Sequence, residues 1–269
     1  MTLFENLFSD GNQHSAIETI SSGVLVVIEH VAELLAESAF LLRGHYQART
    51  ELLLTAANEE LGKAHLLIDA GRLNVRSHQS QLRSLCGAFY GHLEKYAYMR
   101  MWRFRPRYSS SFAEVGKRFR SDMERIEPGS PDPEDGEFDM PHPTYFSRDS
   151  NLYVDFSDYA KDWIKPTSHN PNAVEMLKDP LEWAHDHLAE WLKLKDADAL
   201  RPQALSRLNA AWRSRKALHP AADLRSIAAL QSLSAQNVSR VCSLSVEAIL
   251  ESPLCAIPCY PFLAHRKTV

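Results

Sequence analysis

The sequence predicts an all-α protein: an up-and-down helical bundle with a short extended insertion and a helical C-terminal extension. Apolar residues recur at three-and-four spacing through the first hundred positions, the rhythm of helices that bury one face. Glycine is scarce, 10 residues in 269, and Gly44 and Gly71 fall where that rhythm breaks off. Strand-like alternation is confined to one stretch, Asn151-Leu152-Tyr153-Val154-Asp155-Phe156.

The first helix is expected over 15–43, carried by Ile17, Ile20, Val24, Val27, Val31, Leu34 and Leu35. A second is expected over about 46–70 on Leu54, Ala57, Leu61, Ala64 and Ile68, and a third over about 79–103 on Leu82, Leu85, Phe89, Leu93 and Tyr96. Short connections make such helices antiparallel neighbours. The stretch 105–170 reads as a loop or insertion. It begins basic, with a short helix expected at about 111–126, and then enters EPGSPDPEDGEFDMPHP, whose prolines and acids exclude a regular element. A helix over about 172–194 follows Pro166 and Pro171, and two or three more fill 200–251 with an interruption at His219-Pro220. The tail SPLCAIPCYPF, with three prolines, reads as irregular. The division is therefore 1–195 for the bundle and its insertion, and 196–269 for the extension.

Composition excludes several classes. Hydrophobic residues at 45% supply a core, yet no apolar run approaches the roughly 20 residues of a membrane span, so no membrane partner is expected. The acidic amino terminus lacks a secretory signature. Four cysteines (Cys86, Cys242, Cys255, Cys259), unevenly spread, point to a reducing, cytoplasmic setting rather than a disulfide scaffold. The net charge of −4 hides alternating blocks. Residues 1–70 hold 3 basic against 10 acidic residues, 71–125 hold 12 against 4, 126–200 hold 6 against 17, and 201–269 hold 9 against 3. Blocks of opposite sign attract one another within a chain or across a dimer; alternatively the basic block is an anion-binding face that meets RNA through Arg72, Arg76, His78, Arg100 and Arg103.

On a helical wheel the stripe of the second helix centres between Leu61 and Ala64. Glu60 falls at its edge with Lys63 one step further out, and Glu59 points away to solvent. The third helix repeats the arrangement with His92 and Lys95. Two such i,i+3 pairs on neighbouring helices predict one polar groove holding a carboxylate, an imidazole and two amines. That groove reads either as an ion-pair clasp between helices or as a site in which His92 is a general acid or base beside Glu60, Lys63 and Lys95.

Four pieces in order carry a resemblance to a known family: Ala39-Phe40-Leu41-Leu42-Arg43-Gly44-His45-Tyr46-Gln47-Ala48; Ala57-Asn58-Glu59-Glu60-Leu61-Gly62-Lys63-Ala64; Phe89-Tyr90-Gly91-His92-Leu93-Glu94-Lys95; and Leu152-Tyr153-Val154-Asp155-Phe156 followed by Trp163 and Pro166. Over about residues 20–195 the chain resembles AbiV-type abortive-infection proteins of the HEPN superfamily. The resemblance implies a HEPN-like bundle, defence against phage, arrest of translation, a homodimer, and a phage or host protein as trigger. Many HEPN members are metal-independent ribonucleases built on an Arg-polar-x4-6-His motif. Arg72-Leu-Asn-Val-Arg-Ser-His78 has that length, but leucine follows the arginine, and His92 with a nearby lysine or arginine is the better-placed proton-handling pair. The alternative function is a helical interaction module in which the groove is a clasp and the acidic loop 127–139, with the basic block, recruits a protein partner.

No cofactor and no metal is expected. Glu182 and His185 have one half of a di-iron spacing without a second copy, which leaves His185 and His187 as incidental histidines of a surface helix. Cys242, Cys255, Cys259 and His265 are too irregularly spaced for a zinc site. Phosphate-cradling glycine loops and nucleophile-elbow serines are absent from the sequence.

Overall fold

The computed structural model describes residues 8, 11–103, 112–124, 155–157, 162–164, 166, 169–214 and 224–263. Helix α1 (Gln13–Arg43) opens on Asn12, whose side chain accepts from the His14 and Ser15 amides at 3.0 and 3.3 Å, a regular N-cap. It buries the expected stripe, from Ile17 through Val24 and Val31 to Leu35. The left-handed residue that ends it is His45 (φ 59°), not Gly44. A Cβ at 44 would stand 2.7 Å from the ring of Tyr46, an exposed side chain that would have to turn aside.

Helix α2 (Gln47–Arg72) packs along α1 and is the axis of the molecule: α4, α6 and α7 also lie against it. The expected third helix is broken into α3 (Gln79–Ala88) and α4 (His92–Arg103). Between them the Tyr90 and Gly91 amides bond back to Gly87 and Ala88, and a Cβ at Gly91 would overlap the Glu94 carboxylate. Apolar spacing continues across this turn, which is why periodicity alone joins the two segments.

Helix α5 (Phe112–Glu124) is where a short helix was expected. Strands β1 (Asp155–Ser157) and β2 (Asp162–Ile164) pair antiparallel with Phe156 opposite Trp163, at the carboxyl end of the expected extended segment. Then come α6 (Ala173–Asp196), α7 (Pro202–Arg213), α8 (Leu224–Ser239) and α9 (Val246–Leu250). The acidic loop 127–139 and His219-Pro220 lie outside the described residues. Among the described residues no helix is long and apolar enough to cross a membrane.

The tail departs from expectation. A 3-10 turn (Pro253–Cys255) and a short helix α10 (Tyr260–Leu263) are buried, with Leu254 fully covered and Cys255, Cys259 and Phe262 nearly so. Residues beyond 196 share one continuous core with the N-terminal helices, and the fully buried Trp191 is part of it. Asn209 of α7 donates to the Gly71 and Leu73 carbonyls at 2.8 and 3.0 Å, and Ser21 of α1 to Leu200 at 2.7 Å.

Candidate functional site

Two neighbouring helices do bring His92 and Lys95 to a carboxylate, but it is not Glu60. Glu59 Oε2 lies 2.7 Å from His92 Nδ1 and 2.9 Å from Lys95 Nζ. Glu60 instead pairs with Lys63 at 2.5 Å, and Lys63 sits 5.2 Å over the Phe89 ring. The placement of Glu59 in solvent is thus corrected: its side chain is 12% exposed. The wheel set its phase by one apolar stripe, whereas the second half of α2 is buried nearly all round, from Leu61 through Ala70, so α4 covers a face the wheel left open.

Gly62 makes this possible. A Cβ there would stand 2.5 Å from the Lys95 carbonyl oxygen and 2.9 Å from Lys95 Cβ, so α2 and α4 touch backbone to backbone. Glu59, one turn earlier, then reaches across. Gly62→Ala gains about 1 kcal/mol of helix propensity but forces the helices apart at a cost of about 1–3 kcal/mol. The expected net result is a lower unfolding midpoint, and a loosened Glu59–His92 contact visible as a changed His92 ring resonance. An unchanged midpoint would mean that the helices separate freely.

Burial raises the Glu59 pKa, but hydrogen bonds from Lys95 and His92 outweigh it and hold the carboxyl below its ordinary value. The ionised carboxylate at Nδ1 selects the tautomer that carries its proton there, which makes Nε2 the basic nitrogen of a ring whose side chain is 31% exposed. Lys95, at 5%, holds the carboxylate from behind.

The residues assigned to RNA do not form one surface. Arg72 is buried at 4%: it pairs with Asp69, donates to the Leu254 and Ala256 carbonyls at 2.6 and 3.2 Å, and lies 5.0 Å over Trp212. Its inward course corrects the expectation that it meets RNA, since the C-terminal segment takes its donors. His78 stays at the surface turn against Ser77 and Asn74, so among the described residues the two ends of the R-x5-H stretch hold different partners. Arg76 is exposed and bonds the Gly11 carbonyl at 3.3 Å, Arg100 lies half-buried over Tyr96 at 5.9 Å, and Arg103 closes α4.

The sequence reading missed a second, internal cluster. His65 Nε2 and His187 Nε2 are 3.0 Å apart, and the His187 ring stacks on Trp102 at 3.5 Å. His187 is fully buried and not an incidental surface residue; His185 is exposed. Burial, and next to it the Arg72 charge, pushes the His65 pKa down to about 3, so the His65 ring is neutral. Beside them Asp69 Oδ2 accepts from Tyr98 Oη at 2.8 Å and from the Cys259 and Tyr260 amides at 2.8 and 3.2 Å. His65, Asp69, Arg72, Tyr98 and Cys259 line a cavity of about 10 Å³, room for one water. The signal was present as spacing: His65, Asp69 and Arg72 stand at i, i+4 and i+7 on the face that Leu61 begins.

Cys255 and Cys259 donate weakly to the Gln231 and Ile257 carbonyls, and burial pushes the Cys255 thiol up to about 12. Among the described residues no three His, Cys, Asp or Glu side chains converge to hold a metal ion. Comparison with protein-family models, curated proteins and solved structures found no match to this chain.

Proposed function

We propose that this chain is an antiphage abortive-infection protein of the AbiV type that arrests translation by cleaving RNA, with His92 as its proton-handling group. The observation that supports the reading is the Glu59 carboxylate shared by His92 and Lys95, because it joins the Glu-Glu-Leu-Gly-Lys and His-Leu-Glu-Lys pieces of the resemblance at one place. An imidazole held through Nδ1 by an ionised carboxylate is the arrangement of a general base. Nε2 takes the proton of a ribose 2′-hydroxyl, the 2′-oxygen bonds to the adjacent phosphorus, the bond to the 5′-oxygen breaks, and the proton passes to that leaving oxygen. Cation for the phosphate comes from the basic block or from a second copy, in keeping with a cytoplasmic homodimer released by a phage or host protein.

The test is incubation of the purified chain with total RNA and tRNA in chelator. Cleavage is expected, with His92→Ala slower by about 10²–10⁴ and Glu59→Gln intermediate with a displaced pH profile. No cleavage by the parent, or equal cleavage by His92→Ala, removes the nuclease. The interaction module is favoured by one observation, that Lys63, Lys95 and Arg72 already pair with carboxylates inside the chain. A stable protein partner captured from infected cells, with no RNA product, selects it.

A further inference from the structure

We infer that Tyr90 is a stacking platform for one unpaired RNA base beside His92; this rests on the RNA-directed reading of the same groove. Tyr90 is 66% exposed and stands in the turn between α3 and α4, two residues before His92. Single exposed apolar residues are common and need no explanation. Tyr90 differs from exposed Val26 or Phe40 in its support. Its ring meets Phe89 edge-to-face at 5.8 Å and 76°, Phe89 carries the Lys63 ammonium 5.2 Å over its face, and Lys63 is tied to Glu60. The backbone beneath is pinned by the Tyr90–Gly87 and Gly91–Ala88 hydrogen bonds, each 3.1 Å.

The result is a pre-positioned aromatic face on the α2–α4 edge that holds the half-exposed imidazole. Aromatic side chains read RNA by stacking on bases splayed out of a helix, and they do so with little regard to base identity. In a duplex both faces of each base are already stacked, so this platform selects single strands. A base seated on Tyr90 also brings its neighbouring phosphate towards His92, which makes Tyr90 a positioning residue for cleavage.

The probe is a labelled oligoadenylate, alone and annealed to oligouridylate, titrated into the full chain carrying His92→Ala so that binding is read without cleavage. The single strand should bind more tightly than the duplex. Adding Tyr90→Ala should weaken single-strand binding about tenfold, the loss of one stacked base, while Tyr90→Phe and Tyr90→Trp retain it and duplex binding is unchanged. With His92 present, Tyr90→Ala should raise KM about tenfold at nearly constant kcat. Equal affinities for Tyr90→Ala and its parent, or equal losses on duplex and single strand, overturn the platform and leave His92-dependent cleavage standing. A parent that neither binds nor cuts RNA defeats the functional reading itself. Dissociation of a dimer by Tyr90→Ala with no change in RNA affinity assigns the ring to contact between copies and also overturns the proposal.

Discussion

Asp69→Ala should lower the unfolding free energy by about 3–5 kcal/mol, the usual cost of stranding one partner of a buried ion pair. Arg72 at 3% side-chain exposure would lose its Asp69 carboxylate, and the loss extends further. Tyr98 Oη and the Cys259 and Tyr260 amides all donate to the same oxygen, and the buried Tyr98 hydroxyl would lose that acceptor. Urea denaturation reads the effect as a lower midpoint. Asp69→Asn, which keeps an acceptor but not the charge, should fall between. A loss of less than about 1 kcal/mol, the level of a surface pair, would mean that water replaces the carboxylate.

Acid should act on the other half of this cluster. The unfolded chain protonates His65 near 6.5, whereas the folded chain resists until about 3. Between those values the unfolded state binds the extra proton, so stability falls as pH falls. The loss expected from this ring alone is on the order of 4 kcal/mol. The groups facing it are His187, Trp102 and Trp191, with the Arg72 charge opposing protonation. His65→Phe cannot titrate and should flatten the dependence, even from a lower starting stability. In the parent, the His65 ring resonance should keep its neutral position down to about pH 4. Titration of that ring near pH 6 would contradict its burial.

What the sequence made legible follows from how many neighbours each helix has. α1 buries one stripe, so its period agrees with the structure, and its start at Gln13 falls two residues before the expected one. α2 touches helices on several sides, and there a single stripe gives the wrong phase: Glu59 and Glu60 exchange places because α4 covers the supposed outer face. The break at Phe89–Gly91 escapes for a related reason. Two glycines weaken the helix only modestly, and the carboxylate of Glu94 beneath Gly91 is a contact that spacing does not report. The tail is the clearest case. Three prolines make it locally irregular, and its burial depends on bonds to Arg72 and Asp69 from 182 to 191 positions away. The meeting of His92 and Lys95 with a carboxylate was approached because both helices are local in sequence; the His65–His187 pair, 122 positions apart, was not.

The seat of Asp69 has a bearing on biosynthesis. Its amide partners at Cys259 and Tyr260 leave the ribosome 190 and 191 residues after it. Until then the aspartate and its arginine wait with half their coordination missing, and a nascent chain holding only the early helices carries an open charged seam. Emergence of residues 254–260 is therefore the step that closes the interior, and a chain cut before residue 254 leaves that seam open.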